Sequence, residues 1–277
     1  MSSPRLPVRK TYKLWIGGAF VRSESGRYDH AGGDSAVNIP RASRKDVRDA
    51  VAAARKAAAP WAARTAYNRG QILYRAAEAL ESRAAQLAEL CDRDQIGAAV
   101  DVLVHYAGWT DKFHAVLGGV NPVAAPFLSF SLPEPTGVVG VVAPEEPELL
   151  GLVAELAPAL AGANTVIAIL SPSHPLAGLD FAEVLGVADI PAGVVNLLSG
   201  RRRELATALG AHRDVNAIVD ASGEPELAAE LGRLGAETIK RVRHSPGATA
   251  YDDAVADALG RIDALTELKT AWHPVGA

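Results

Sequence analysis

One thiol and three closely spaced carboxylates are the side chains in this sequence best suited to chemistry. Cys91 is the only cysteine, and a thiolate can act as a nucleophile. Glu145, Glu146 and Glu148 could bind a metal or exchange protons. However, alanine and leucine surround Cys91, which is typical of an inert, partly buried side chain. Carboxylates beside Pro147 would ordinarily stabilise a helix N-terminus, so we expect structural roles at both places.

Two cationic sites are the next candidates. Arg201-Arg-Arg203 follows Gly200 and could bind an anion, although solvated arginines at the start of a helix are more common. His244 could exchange protons, but a lone histidine at the end of a strand is more often structural. The sequence contains no P-loop, nucleophile elbow, G-x-G-x-x-G run or metal-binding spacing. These residues alone therefore define no active site.

Composition excludes several classes of partner. The 277 residues are 49% hydrophobic and 22% charged, which fits a globular protein of one large domain or two small ones. A net charge of -4 gives no general attraction to nucleic acid or to anionic membranes. The segment Met1–Lys10 lacks the apolar core of a secretory signal, and no apolar run is as long as a membrane span. We expect a cytoplasmic protein with neither a nucleic-acid nor a membrane partner.

The elements that position these side chains fall into two regions. Residues 13–21 predict a β-hairpin with a Gly17-Gly18 turn, lying on the surface of the rest of the chain. Helical periodicity then predicts a helical layer, with a helix that starts at Ser43 and breaks at Pro60, followed by helices at 67–92 and 96–116.

From residue 133 onward, short apolar runs alternate with amphipathic segments. This alternation predicts an α/β fold, a Rossmann-like doubly wound parallel sheet. The expected strands are 138–143, 166–170, 194–198, 215–219 and 238–242, and the expected helices are 147–161, 176–185, 202–209 and 225–234.

Two alternating segments lie outside this pattern, at 127–132 and 266–272. Isolated strands leave backbone hydrogen-bonding groups open, so we expect them to pair between molecules. The residues predicted to mediate oligomerisation are Phe127, Leu128, Ser129, Phe130, Leu132, Leu268, Thr270 and Trp272.

Six segments, in order along the chain, resemble landmarks of the aldehyde dehydrogenase family. They are Leu14-Trp-Ile-Gly-Gly-Ala-Phe-Val21, His105-Tyr-Ala-Gly-Trp-Thr-Asp-Lys112, Glu134-Pro-Thr-Gly-Val-Val-Gly-Val-Val-Ala-Pro144, Leu156-Ala-Pro-Ala-Leu160, Asn164-Thr-Val166 and Ile190-Pro-Ala-Gly-Val-Val-Asn196. The resemblance runs from about residue 12 to residue 243. The segment 268–272 resembles the last strand of the family, a C-terminal oligomerisation strand.

The resemblance implies a particular domain organisation. Residues 11–247 would form the N-terminal, cofactor-binding-like domain, with an oligomerisation arm inserted at 121–136, and residues 248–277 would add a helix and an oligomerisation strand. The thiolase-type catalytic domain, which carries the family's nucleophilic cysteine, would be absent between them. In this respect the chain is similar to the degenerate second unit of two-domain aldehyde dehydrogenases.

The resemblance also implies that the chemistry of the family is lost. A working enzyme of this kind needs a thiolate, an oxyanion donor, a general base and a bound nicotinamide. The family's oxyanion asparagine matches Glu146, which cannot donate when ionised. The catalytic glutamate would follow Arg243, where the sequence reads His244-Ser-Pro-Gly247, and Cys91 lies far upstream of the family's nucleophile.

The positions that hold the cofactor in the family are likewise degenerate. The ribose-binding lysine matches Ile169, and the glutamate three residues later matches Pro172. The phosphate-binding turn matches Ala221-Ser-Gly-Glu-Pro-Glu226, so Ser222, Gly223 and Glu224 stand there. Pro225 removes an N–H donor, and the glutamates are expected to repel phosphate.

Three functions remain open at this stage. The first is a pseudoenzyme, a structural or regulatory subunit that forms a homo-oligomer or a hetero-oligomer with a full-length aldehyde dehydrogenase. The second is a residual NAD- or NADP-binding module. The third, which family membership alone would suggest, is an NAD(P)-dependent aldehyde oxidoreductase. We expect no catalytic residue, no metal and no assured cofactor in this chain.

Overall fold

Continuous apolar runs form the parallel strands at the centre of the protein. A computed structural model describes residues 10–31 and 37–275, and all residues of the three central strands are buried. The strands are β1 (Leu14–Ile16), β2 (Ala19–Val21), β3 (Tyr28–Ala31), β4 (Val37–Pro40), β5 (Gly119–Asn121), β6 (Phe127–Pro135), β7 (Val138–Val142), β8 (Thr165–Ile169), β9 (Val195–Leu198), β10 (Ala217–Asp220), β11 (Arg241–His244) and β12 (Thr266–Pro274).

Helices cover both faces of the central sheet, which is why its central strands β7, β8 and β9 are buried and mostly apolar. The helices are α1 (Arg44–Ala62), α2 (Ala66–Ser82), α3 (Ala84–Leu87), α4 (Arg93–Trp109), α5 (Phe113–Leu117), α6 (Glu148–Ala161), α7 (Pro175–Val187), α8 (Arg202–Ala211), α9 (Pro225–Ala236), α10 (Tyr251–Val255) and α11 (Ala258–Asp263). The predicted α/β fold, a Rossmann-like sheet with an N-terminal helical layer, is confirmed.

The strand order creates a crevice at one point of the sheet. Over the described residues, the main sheet runs β11-β10-β7-β8-β9-β1-β2. From β7 the chain proceeds to β8 and β9 on one side, whereas β10 and β11 lie on the other side of β7, all in parallel. The connections therefore leave β7 and β10 in opposite directions. Ligands of open α/β sheets bind at such a switch point, beyond the carboxyl ends of the strands.

The N-terminal hairpin belongs to this sheet. Gly17 and Gly18 have φ values of 63° and 79°, as the predicted two-residue turn requires. The expectation that the hairpin lies on the surface was wrong for β1, which pairs antiparallel with β9, Trp15 opposite Leu197, and whose Leu14 is fully buried. It was right for β2, where Ala19 and Phe20 are exposed. The sheet is therefore mixed, with an antiparallel edge.

The helices of the N-terminal layer end at other residues than predicted. Ser43 forms a capping box with Asp46, which confirms the predicted start of α1. Pro60 lies inside α1 and does not end it. The predicted helix 67–92 is shorter than expected, since α2 ends at Ser82 and only the short α3 follows.

The last strand of the parallel sheet begins three residues later than predicted. Ile239 was assigned to a strand starting at residue 238, but it has a positive φ of 55° and is 93% exposed. The N–H of Lys240 donates to the carbonyl of Gly235 and closes the turn after α9. The strand β11 therefore begins only at Arg241.

A separate three-stranded antiparallel sheet, which we call the arm, has the order β12-β6-β5. β6 and β12 pair along their whole length, from Thr266 opposite Pro135 to Pro274 opposite Phe127. The expectation that these strands are unpaired within one molecule was wrong. Leu268 and Trp272 nevertheless remain 58% and 60% exposed.

The segment between β11 and β12 is fixed to the body by a buried ion pair. Arg261 on α11 contacts Glu155 on α6 at 3.2 Å, and their side chains are 6% and 1% exposed. The Ser245 hydroxyl donates to the same Glu155 oxygen, and the Tyr106 hydroxyl donates to the carbonyl of Ala254 at 3.1 Å. Two short helices, α10 and α11, thus precede the final strand.

Among the described residues, none of the helices combines the length and apolarity that a bilayer crossing requires. Of the segment Met1–Lys10, for which the sequence predicted no secretory signal, only Lys10 lies within the described ranges.

Candidate functional site

Arg202 spans the switch point of the sheet. It is the first residue of α8, and its side chain is only 7% exposed. Its guanidinium contacts Glu145, which follows β7, and Glu224, which follows β10, each at 2.8 Å. It also donates to the carbonyl of Ala143 at 3.2 Å. These contacts, which we call the Arg202 bridge, link the ends of the two strands that diverge here.

The Arg202 bridge corrects two sequence-based expectations. Arg202 was expected to be solvated with its neighbours, but only Arg201 and Arg203 are exposed. The Arg203 side chain, 60% exposed, lies near Glu226 and Glu230. Glu224 was expected to repel phosphate as a free charge, whereas its carboxylate is paired with a buried cation. The negative charge of Glu224 beside the matched phosphate-binding turn is therefore compensated by Arg202.

Glu145 has further partners that fix its orientation. Its Oε1 accepts hydrogen bonds from the Ser171 hydroxyl at 3.2 Å and from the backbone N–H of Ser173 at 3.0 Å. Burial raises the pKa of Glu145, but the Ser173 and Ser171 hydrogen bonds and the Arg202 charge outweigh it and hold the pKa below its usual range. Glu145 is therefore an ionised structural group at neutral pH.

The N-terminus of α6 is occupied by a side chain. The Gln95 Oε1 accepts from the N–H groups of Leu149 and Leu150, at 3.0 and 3.4 Å. Free N–H groups at a helix start would otherwise attract an anion. Glu148 lies in the first turn of α6, as the helix-dipole explanation predicted. Glu146, in contrast, points into solvent: its side chain is 70% exposed, and its carboxylate lies 3.7 Å from the His174 Nδ1.

Cys91 lies in a cleft of about 600 Å³ that Glu146, Glu148 and His174 also line. Cys91 belongs to the loop before α4. The sequence had placed it in the predicted helix 67–92, and that placement was wrong. Burial, and then the charges of Glu148 and Asp92, raise the pKa of the Cys91 thiol to about 12. The thiol is therefore protonated at neutral pH and is not a nucleophile, because only the thiolate attacks.

The positions matched to cofactor anchors offer no comparable contacts. Ile169 ends β8 and is fully buried in the core. Pro172 is exposed in the loop before α7 and carries no backbone donor. In the turn after β10, the Ser222 hydroxyl accepts a hydrogen bond from the Glu224 N–H at 3.2 Å. The Ser222 hydroxyl is therefore engaged within its own turn.

His244 has one acidic neighbour. Its Nδ1 lies 3.5 Å from Asp220, whose side chain is 2% exposed, while His244 itself is 53% exposed. Asp220 also accepts from the Ser222 N–H at 3.0 Å. Within the described ranges, no cluster of three or more His, Cys, Asp or Glu side chains could hold a metal ion.

Sequence reasoning missed the two residues that organise this edge of the sheet. Arg202 stood in a run of three arginines, and a search for strand ends that carry opposite charges would have paired it with Glu145 and Glu224. Gln95 gave no signal, because a neutral amide fifty-three residues before Glu148 along the chain shows no motif.

Comparisons with known proteins agree on a family. The model of the aldehyde dehydrogenase family matches residues 20–251. An aldehyde dehydrogenase of Aspergillus niger is 34% identical over 220 residues, which are 74% of this chain and 44% of that protein. The mitochondrial aldehyde dehydrogenase of Rattus norvegicus is 31% identical over 245 residues, 82% of this chain and 46% of that one.

Solved structures give the same result. An aldehyde dehydrogenase of Bacillus cereus, determined as a complex with NAD+, superposes with a TM-score of 0.80 and 28% identity, covering 85% of this chain and 50% of that chain. A Pseudomonas protein, PnpE, in complex with nicotinamide adenine dinucleotide superposes equally well, at 28% identity over the same shares.

These matches share one feature. The chain spans about half the length of the relatives that it matches, in sequence and in structure alike. The family match nevertheless extends over most of its residues, including both strands that border the switch point. The chain belongs to the aldehyde dehydrogenase family.

Proposed function

We propose that this chain is a pseudoenzyme of its family, a structural or regulatory subunit that assembles with itself or with a full-length aldehyde dehydrogenase. The observation that carries this proposal is the arm. In the part of the chain that the structure describes, β12 pairs with β6 on one side only, and its residues from Glu267 to Pro274 are exposed or half-buried. A long open edge is a site for pairing with another chain.

The crevice supports the non-catalytic half of the proposal. Cys91 has a strongly raised pKa, and Glu146 occupies the matched oxyanion position with a carboxylate. An ionised carboxylate accepts hydrogen bonds and does not donate them, so it opposes a developing negative charge. The described residues thus offer neither an activated nucleophile nor an oxyanion donor at this edge.

The residues at the switch point do not fit a nicotinamide dinucleotide. The Arg202 bridge links the ends of β7 and β10 with ion pairs, at the place where a dinucleotide would lie in this class of sheet. Ile169 and Pro172 provide no polar anchor. We derive no chemical step through NAD or NADP, and we favour the assembly function over the residual binding module.

Co-purification tests the proposed function. The tagged chain is expressed in its native host, and the complex is characterised by size-exclusion chromatography with light scattering and by mass spectrometry. We expect an oligomer of this chain, or a stoichiometric complex with an aldehyde dehydrogenase. A monomer without a dehydrogenase partner would contradict the proposal.

Calorimetry with NAD and NADP separates the proposal from the binding module. We expect no saturable binding at millimolar cofactor, and no aldehyde turnover by the isolated chain. Saturable micromolar binding would favour the module, and turnover that Cys91→Ala abolishes would establish an enzyme.

A further inference from the structure

Arg69 is a buried cation that has no carboxylate partner in the described part of the chain. It lies in the first turn of α2 and is 3% exposed. One guanidinium N–H donates to the carbonyl of Arg64 at 2.6 Å, whereas the Nε has no acceptor among the described residues. Burial alone lowers the pKa of Arg69, since no neighbouring carboxylate offsets it. A buried charge that is not paired is costly, so an anion at this place would stabilise Arg69.

The Arg69 side chain lines a cleft of about 350 Å³. Apolar groups form much of its wall, among them Ala66, Phe113, Pro135 and Ala163. Pro135 and Ala163 precede the amino ends of β7 and β8, so the cleft lies at the opposite edge of the sheet from the Arg202 bridge. Clefts of this size hold small organic molecules.

The other polar groups around the cleft include further donors. Arg64 lines it as a second cation. The first N–H of α2, that of Ala66, has no acceptor among the described residues, and free N–H groups at a helix start favour anions. Asp111 is the acidic residue of the lining, but its side chain is 57% exposed and lies 3.1 Å from the Lys112 ammonium. The buried part of the cleft is therefore cationic.

We propose that this cleft binds a short-chain carboxylate, whose oxygens accept hydrogen bonds from the Arg69 guanidinium and whose hydrocarbon chain lies against Phe113 and Pro135. A planar guanidinium matches a carboxylate in both charge and shape. A phosphate group carries more than one negative charge at neutral pH, which one buried arginine does not offset. This site goes beyond the proposed assembly and does not depend on it.

Butyrate is the probe, and butyramide, which has nearly the same shape without the charge, is its control. We expect calorimetry on the full chain to give a dissociation constant on the order of 1 mM for butyrate and a value at least about tenfold higher for butyramide. Arg69→Gln should weaken butyrate binding at least about tenfold, because it removes the charge. Arg75→Gln, at an exposed arginine of the same helix, should leave it unchanged.

A second variant tests the cleft while Arg69 stays in place. Ala66 is half-buried in the lining, and Ala66→Leu adds side-chain volume there without a helix-breaking residue. We expect this variant to keep the circular dichroism spectrum of the wild type and to lose butyrate affinity at least about tenfold. It serves as the test even where Arg69→Gln does not fold.

His114 provides a readout within the cleft. Burial, followed by the charge of Arg69, lowers the pKa of the His114 imidazole. A carboxylate beside Arg69 offsets that charge, so saturating butyrate should raise the His114 pKa by at least about half a unit. NMR titration of the imidazole signals measures the change, and His114→Gln assigns the signal. Butyrate should leave the signals of His212, which follows α8, in place.

The outcomes decide the inference without touching the proposed function. Absence of saturable butyrate binding, or binding that Arg69→Gln and Ala66→Leu both leave intact, overturns the site. Inorganic phosphate is titrated in parallel, and tighter binding of phosphate than of butyrate overturns the carboxylate assignment. Assembly is measured separately by chromatography and light scattering, so each result stands on its own.

Discussion

Arg202 is the residue whose removal should disturb the crevice most. Arg202→Ala leaves Glu145, Glu224 and the Ala143 carbonyl without a buried cation. Losing one partner of a fully buried pair costs more, but the two carboxylates are 39% and 45% exposed, so we expect a loss of about 2 kcal/mol in the free energy of unfolding. Urea denaturation measures it. Arg203→Ala, at an exposed position, is the control and should leave the midpoint unchanged.

Glu145 should make stability depend on pH at the acidic end. Its pKa is depressed from 4.5 in the folded protein, so its ionised form stabilises the fold above the unfolded-state pKa. That contribution is lost as the pH falls through the lower, folded-state pKa. We expect wild type to melt above Glu145→Gln at about pH 6 and the difference to vanish near about pH 3. A difference that persists in acid would contradict this assignment.

Cys91 should be an unreactive thiol despite lying in a cleft. Because burial raises its pKa to about 12, only a minute fraction is thiolate at neutral pH. We expect modification by a disulfide reagent at pH 8 to be at least about a hundredfold slower in the folded protein than in urea, where the pKa returns to its usual range. Equal rates in the two states would show that Cys91 is accessible and ionised.

At the scale of elements, Gln95 on α4 determines how α6 begins. Its amide oxygen accepts from two N–H groups at the start of α6, and Gln95→Ala leaves both without that acceptor. By analogy with the loss of an N-cap, we expect a loss of about 1 kcal/mol and faster hydrogen exchange at Leu149 and Leu150. Gln71→Ala, at an exposed position on α2, is the control.

The elements that follow local rules were predictable from the sequence. The predicted helix start at Ser43 and the glycine turn at Gly17-Gly18 were correct, because each depends on a few neighbouring residues. The partners of β1 and of β12 were not, since strand pairing depends on contacts distant along the chain. The same limit applies to the site. The degenerate positions could be named from the sequence, but the contacts of Arg202 depend on three loops that meet in space.

At the scale of the whole molecule, the Arg261–Glu155 pair holds the segment that leads into the arm. Both side chains are buried, and Arg261→Ala would leave an uncompensated carboxylate. We expect a loss of about 3 kcal/mol and faster proteolysis within residues 248–265. Arg233→Ala, at an exposed position of α9, should change stability by less than about 0.5 kcal/mol. Equal protease resistance of Arg261→Ala and wild type would contradict this role.

The main sheet ends in strands that discourage further growth. β2 has only three residues, and β11 has four, of which Arg241, Arg243 and His244 carry cationic or ionisable side chains. Short and charged borders are how natural sheets avoid fibril formation. Concentrated samples should therefore yield finite particles and no amyloid-like filaments, because the parallel core offers an incoming chain no long apolar template.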